Sequence, residues 1–228
     1  MQKKIAVIND LSGYGRCSLT VAIPVLSVMG HQCCPVPTAI LSNHTEFPVY
    51  FFDDYTEKMT AYTDKWKELG LSFDAVATGF LGSEAQIEIV MDMIRKLESE
   101  ETFVVIDPIM GDHGHAYETY TPEMCEQMKE LVCMADIVLP NVTECCILTD
   151  TPYKKENWTR RELLNMAMML RLMGAKSVVI TGVREGSYYT NVVLERGQME
   201  AKFIRTRSSG GERPGTGDVF SSVVAGAL

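Results

Sequence analysis

The sequence predicts an α/β fold with a mainly parallel central sheet, helices on its faces and an antiparallel hairpin at one edge. Three observations predict it. Short apolar, β-rich runs recur at residues 5–9, 33–39, 75–79, 103–107, 137–140 and 177–181. Segments with the 3.6-residue period of a helix lie between them, the pattern of βα units. Beyond residue 181 the period changes, and residues 187–194 and 199–205 read as two strands joined by Glu195-Arg196-Gly197-Gln198. With 228 residues and 46% apolar side chains, one large core in a single domain over residues 1–228 is expected.

The first helical stripe, Leu19, Ala22, Ile23, Leu26 and Met29, contains Pro24, which predicts a kink or the start of a new turn. Tyr55, Met59, Tyr62, Trp66 and Leu69 make a second stripe, and Ile87, Val90, Met91, Ile94 and Leu97 a third; both are expected to face the core. Thr159 and Glu162 have the spacing of a capping box ahead of Leu163, Met166, Ala167, Leu170 and Met173, and Gly174 closes that helix. The loop Ser208-Ser209-Gly210-Gly211-Glu212-Arg213-Pro214 has a linker-like composition. Residues 221–228 read as a small-residue helix buried against the sheet. Because a fold rarely stops in mid-core, further C-terminal helices are expected to be missing from the sequence.

Lys and Arg total 21 against 30 Asp and Glu, a formal charge of −9. Nucleic acid and anionic membrane are therefore not expected partners, and an anionic ligand needs a local site. No apolar run approaches the ~18 residues of a membrane span. Seven cysteines, at 17, 33, 34, 125, 133, 145 and 146, are an odd count without zinc-ribbon spacing. Reduced thiols and a cytoplasmic location are expected, rather than a disulfide framework or a structural metal.

The sharpest chemical signal is Gly215-Thr216-Gly217-Asp218, placed between the linker-like loop and the small-residue helix. A helix N-terminus offers unpaired N–H groups and a positive dipole end, and glycines let its backbone approach an anion. Such a turn can cradle a transferring phosphoryl group while Asp218 accepts a proton from an attacking hydroxyl. The alternative is that Thr216 or Asp218 only caps the helix. Three further polar clusters end predicted strands, the edge at which open α/β sheets bind ligands. Asp107-Pro108-Ile109-Met110-Gly111-Asp112 sets two carboxylates beyond an apolar strand, suited to Mg²⁺ beside phosphates or to a local turn. In Pro140-Asn141-Val142-Thr143-Glu144, Asn141 and Glu144 have N-cap and N3 spacing, whatever else they do. Thr181-Gly182 offers a hydroxyl and an unhindered backbone to a phosphate or ribose.

Together these motifs resemble the ribokinase superfamily. Ser42-Asn43-His44-Thr45, Gly79-Phe80-Leu81-Gly82-Ser83 and Tyr120-Thr121-Pro122-Glu123 narrow the resemblance to the vitamin B6 (pyridoxal/pyridoxamine) kinases, over essentially the whole chain from Ile5 to Leu228. The resemblance implies a three-layer α/β/α ribokinase-like fold that transfers the γ-phosphoryl group of ATP, with Mg²⁺, to the 5′-hydroxymethyl group of a B6 vitamer. A need for a monovalent cation stays open. The resemblance implies Asp218 as the base and Gly215, Thr216 and Gly217 as the anion hole. It implies Asp10, Ser12, Thr45 and Phe80 around the pyridine ring, and Asp107, Asp112, Tyr120, Asn141, Glu144, Thr181 and Thr216 near ATP. Asp112 and Glu144 are the implied metal residues, acting mainly through water. Phe80 stands where the family often has tyrosine, and keeps the aromatic face. Asp10 stands where many members have a serine; its carboxylate suits a protonated ring nitrogen or an amine, and Ser12 offers a hydroxyl two residues on.

Relatives of this kind commonly pair as homodimers, and residues 38–52 read as a lid or an interface. Two rival readings are a hydroxymethylpyrimidine kinase of thiamin synthesis and a truncated, noncatalytic vitamer-binding protein. His44, His113 and His115 lack a zinc pattern, and residues 113–115 read as a loop with a lid or surface role. Cys17, beside the substrate loop, is a candidate reactive thiol. Gly13-Tyr14-Gly15-Arg16 lacks the spacing of a dinucleotide loop.

Overall fold

Six consecutive buried residues, Ile5 to Asp10, form the middle of strand β1 (Lys4–Tyr14). The structure is a computed structural model that describes residues 2–45, 47–99, 101–211 and 213–228. Glu46 of the 38–52 segment and Glu212 of the 208–214 loop lie outside the described residues. The chain divides into two compact units, Met1–Asp107 with Arg213–Leu228, and Pro108–Glu212.

In the first unit β1 is followed by α1 (Leu19–Val28), β2 (Gln32–Asn43), β3 (Phe52–Asp54), α2 (Thr56–Glu68), β4 (Ala75–Thr78), α3 (Glu84–Leu97) and β5 (Phe103–Ile106). The strand order is β5-β4-β1-β2-β3, parallel except for the β2–β3 pair. Ile8 lies opposite both Val36 and Thr78, and Thr78 opposite Ile106. A strand covered on both faces reads as an unbroken apolar run, which is why 5–9, 75–79 and 103–107 stand out in the sequence. Two strands reach further than their apolar runs: β1 continues through polar Ser12 and Gly13, and β2 carries on to Asn43.

Helix α1 runs through Pro24 without starting a new element. Pro24 is exposed, so the carbonyl it leaves unbonded, that of Thr20, is on the side where water can reach it. The α3 stripe is buried throughout, and Ser83 caps its N-terminus by accepting from the Gln86 N–H. The α2 stripe is only half a core face: Met59 is buried, but Leu69 is 72% exposed. Its half-buried aromatics meet edge-on and tilted, Tyr62 against Trp66 and Trp66 against the buried Phe73 beyond the helix.

The second unit contains β6 (Gly111–Asp112), β7 (His115–Ala116), α4 (Pro122–Val132), β8 (Ile137–Val138), α5 (Val142–Leu148), α6 (Arg160–Met173), β9 (Ser177–Glu185), β10 (Tyr188–Leu194) and β11 (Lys202–Arg207). Here the order is β8-β9-β10-β11; β8 and β9 are parallel, and the expected hairpin β10–β11 is antiparallel. The Thr159–Glu162 capping box is present at α6, whose end at Gly174 has φ 138°. Residues 113–115, expected as a loop, are the tip and start of a small hairpin instead. His113 (φ 51°) and Gly114 (φ 88°) both take the left-handed conformation that a two-residue turn between β6 and β7 requires.

The last helix, α7 (Thr216–Ala227), returns to the first unit and packs on α1. A β-carbon at Gly226 would stand 2.6 Å from Met29 Cε, so this approach needs the small residue. The helix is buried along Ser222, Ala225 and Gly226 only; Val219 and Val223 are exposed. Among the described residues, no helix is long and apolar enough to cross a membrane.

Candidate active site

The turn into α7 is built by a glycine at its cap. Gly215 has φ 82°, and a β-carbon there would collide with the Arg16 carbonyl oxygen. Gly217, one turn-position on, faces open space. Asp218 is the third helical residue. Its Oδ1 accepts from Asn9 Nδ2 at 3.1 Å, and the Ser18 backbone N–H also donates to its carboxylate. Ser18 has φ 54° and ψ −135°, a conformation that non-glycine residues rarely adopt and that must be held in place by its surroundings.

What holds it is Asp10. The Asp10 carboxylate is buried and accepts from the Ser18 hydroxyl at 2.5 Å and the Ser12 hydroxyl at 2.9 Å. Ser12 is thereby committed to Asp10 rather than presented alone. Phe80 is half-buried; its N–H donates to Asn9 Oδ1 at 2.9 Å, and its carbonyl accepts from the Thr38 hydroxyl. Thr45 is exposed on the loop that packs over the end of β1, where a β-carbon on Gly15 would meet the His44 ring at 2.4 Å. Asp107, expected near the nucleotide, lies in the first unit and bonds with the Ser221 side chain of α7.

Asp10, Asp107 and Asp218 are thus three carboxyls around one helix start. Burial raises the pKa of each above the ordinary carboxylate value, and repulsion from Asp218 adds to the rise at Asp10 and Asp107. Burial likewise pushes the Cys17 thiol up, with Asp10 and Asp218 adding to it, so Cys17 is a protonated thiol at neutral pH and not a ready nucleophile.

In the second unit the expected nucleotide residues cluster at the start of α5. Asn141 caps that helix: its Oδ1 accepts from the Glu144 N–H at 2.9 Å, and its Nδ2 donates to the Gly111 carbonyl at 2.9 Å. Glu144 completes the capping box, accepting from the Asn141 N–H at 2.7 Å with one oxygen and from the Met110 N–H at 3.1 Å with the other. These bonds tie the 108–111 segment to α5. Thr143 accepts from the Gly114 N–H and so anchors the β6–β7 turn. Asp112 is more exposed, and its Oδ1 accepts from the His113 N–H. The Thr181 N–H donates to the Pro140 carbonyl at 2.8 Å.

Two observations bear on whether a nucleotide and its metal fit these residues. The Tyr120 hydroxyl is buried with no hydrogen-bond partner among the described residues, and burial followed by the nearby Glu144 charge raises its pKa. An orphaned buried hydroxyl is costly unless something donates to it or accepts from it. Among the described residues, no three His, Cys, Asp or Glu side chains gather as a metal cage. Asp112 is an accessible hard oxygen donor of the kind Mg²⁺ takes, whereas Glu144 is 3% exposed and both its oxygens already accept from backbone N–H groups.

Sequence reading missed Asn9 and Ser18, which touch Asp218 directly. The signal for Asn9 was available, since it is a polar residue closing an apolar strand run. None existed for Ser18, whose role depends on a backbone N–H.

The family model for phosphomethylpyrimidine kinase matches residues 23–228. The chain belongs to that family. Among solved structures, this phosphomethylpyrimidine kinase family member is similar to a Bacteroides thetaiotaomicron VPI-5482 protein carrying the same kinase designation. The two are 42% identical with a TM-score of 0.96 over 100% of this chain and 78% of that one. A second crystal form of the Bacteroides protein contains pyridoxal; there the TM-score is 0.94 and 80% of that chain is covered. A pyridoxal kinase from Lactobacillus plantarum is 28% identical, with a TM-score of 0.91 over 100% of this chain and 81% of that one. The pyridoxal kinase of Dictyostelium discoideum is 26% identical over 243 residues, 99% of this chain and 78% of that protein. The family member therefore has the ribokinase-like α/β architecture of these kinases, parallel strands with an antiparallel hairpin, as the sequence predicted.

Proposed function

We propose that the chain is a pyridoxal kinase, transferring the γ-phosphoryl group of ATP to the 5′-hydroxymethyl group of pyridoxal, pyridoxamine or pyridoxine. The observation that carries this reading is Asp218, a raised-pKa carboxylate at the N-terminus of α7 beside a glycine that faces open space. A base with a raised pKa sits closer to the operating pH, where proton transfer is most efficient. The 5′-hydroxyl oxygen attacks the γ-phosphorus, its proton passes to Asp218, and the bond to the β,γ-bridging oxygen breaks with its electron pair leaving on ADP. The backbone N–H groups of residues 215–218 donate to the phosphoryl oxygens as charge builds on them.

Asp10, Ser12, Thr45 and Phe80 take the vitamer side in this reading, and the buried, twice hydrogen-bonded Asp10 carboxylate favours a substrate that carries positive charge. Asp107, Asp112, Tyr120, Asn141, Glu144, Thr181 and Thr216 take the ATP side, with the Tyr120 hydroxyl gaining a partner from the nucleotide. Mg²⁺, held by Asp112 and Glu144 mainly through water, would neutralise phosphate charge. The reading includes a homodimer working in the cytoplasm; exposed Val49, Tyr50, Phe51 and Phe52 support a covered face on the 38–52 segment.

The test is ATP-dependent phosphorylation of pyridoxal, pyridoxamine, pyridoxine and hydroxymethylpyrimidine, with and without K⁺, by wild type and Asp218→Asn. Turnover of a B6 vitamer that the variant loses is the expected result. The family's name favours the second reading, a hydroxymethylpyrimidine kinase, and turnover of that compound alone would establish it.

A further inference from the structure

The Asn9 side chain has only one way to sit. Its Oδ1 accepts from two backbone amides, those of Asp10 and Phe80, each at 2.9 Å. Flipping the carboxamide would set its NH₂ against two donors, so the NH₂ is directed at Asp218, which it meets at 3.1 Å. Asn9 is 4% exposed, and a β-carbon on the neighbouring Gly79 would lie 2.3 Å from its Nδ2, so Gly79 leaves the room the carboxamide occupies. The Ser18 N–H reaches the same carboxylate, and Asp10 braces Ser18. Two adjacent residues of β1 therefore carry both the donor that touches Asp218 and the acceptor that fixes the turn beside it.

We infer that Asn9 is a positioning residue for Asp218: two backbone amides lock its carboxamide so that its NH₂ orients the carboxylate and favours its ionised form. This rests on Asp218 being the base. The groups facing Asp218 explain why a neutral donor stands at position 9. Asp10 on β1 and Asp107 after β5 disfavour a further negative charge there, while Cys17 before α1 is a protonated thiol that adds no charge. Among side chains of this size, Asn accepts the two amides and still donates; Asp accepts them but, when ionised, only repels.

Asn9→Asp tests the inference because it keeps the shape and the two accepted bonds while removing the donor. The expected result is an acid limb of the kcat profile moved up by about one pH unit, so that kcat falls by up to about tenfold on that limb and recovers at higher pH. KM for the vitamer should stay within about twofold. A purely structural role would lower the thermal midpoint and depress kcat equally at every pH, and a folded Asn9→Asp whose limb does not move overturns the inference. Asn9→Ser, which shortens the side chain out of reach without adding charge, should move the limb in the same direction by less; an unmoved limb there overturns it even if Asn9→Asp does not fold. Asp218→Asn, run alongside, separates the two claims. Retained turnover in that variant removes the base assignment itself, whereas lost turnover with an indifferent Asn9 removes only the positioning role.

Discussion

A β-carbon on Gly215 would stand 1.9 Å from the carbonyl oxygen of Arg16. The two segments that frame Asp218, the end of the β1–α1 loop and the start of α7, approach as closely as backbone allows, and the left-handed conformation of Gly215 adds a second reason for glycine there.

Gly215→Ala should therefore destabilise the protein by more than about 2 kcal/mol, since it combines a backbone clash with a disfavoured φ. Gly217→Ala meets no protein atom and should change stability by about 0.5 kcal/mol or less. On the proposed function it should nevertheless lower kcat/KM for ATP, because the added methyl occupies the anion's side of the turn. Thermal melts beside steady-state kinetics decide this; equal melting temperatures for the two variants would remove the distinction.

Asp107 makes stability depend on pH in an unusual direction. Its folded pKa lies above the ordinary 3.8, so the native form holds the proton more tightly than the unfolded chain. Stability is then lost as pH rises from about 3.8 through the raised value, the reverse of a salt-bridged carboxylate. Asp107→Asn should raise the thermal midpoint at pH 8 by about 2–4 °C, corresponding to roughly 1 kcal/mol, and leave it almost unchanged at pH 4. The same gain at both pH values would mean that ionisation is not the cause.

Tyr120→Phe removes a buried hydroxyl without a partner. The variant should be as stable as wild type or more stable by up to about 1 kcal/mol. If the nucleotide supplies the missing partner, KM for ATP rises while KM for the vitamer does not. A clear loss of stability would show that the hydroxyl is satisfied in solution.

Thr159→Ala should cost about 1 kcal/mol by removing the cap of α6. Its partner Glu162 is pulled down to about 2, first by the Lys154 hydrogen bond and then by the Thr159 N–H and hydroxyl. That contribution is present above the ordinary glutamate value of 4.5 and fades as pH falls towards 2. Acid titration of wild type against Glu162→Gln should show the two stability curves converging below pH ~3.

The parts of the fold that sequence made visible share a physical cause. Strands covered on both faces are apolar without interruption, and helix starts such as Thr159–Glu162 and Asn141–Glu144 satisfy backbone groups with side chains at fixed spacing. What escaped was decided by tertiary contact. The short β3 is made of Phe52, Asp53 and Asp54, which pair with Leu41, Ile40 and Ala39 of β2, and the β6–β7 hairpin needs His113 in a left-handed conformation that composition does not announce. Leu69 follows the α2 stripe yet ends exposed, because spacing gives a face but not the length over which it is covered. At the candidate site Asp218 was legible as part of a motif. Asn9 and Ser18 were not, since one acts through an amide orientation and the other through a backbone N–H.

Three buried carboxyls around one helix start have a consequence for laboratory evolution. Burial disfavours the charge on each, so a library screened only for heat resistance should enrich neutral replacements at positions 10 and 107. On the proposed function, survivors of such a screen would be sturdier proteins with an emptied reaction centre. A screen that alternates heat challenge with growth that depends on the proposed activity should instead leave these positions untouched and collect its gains on the exposed faces of α2 and α7.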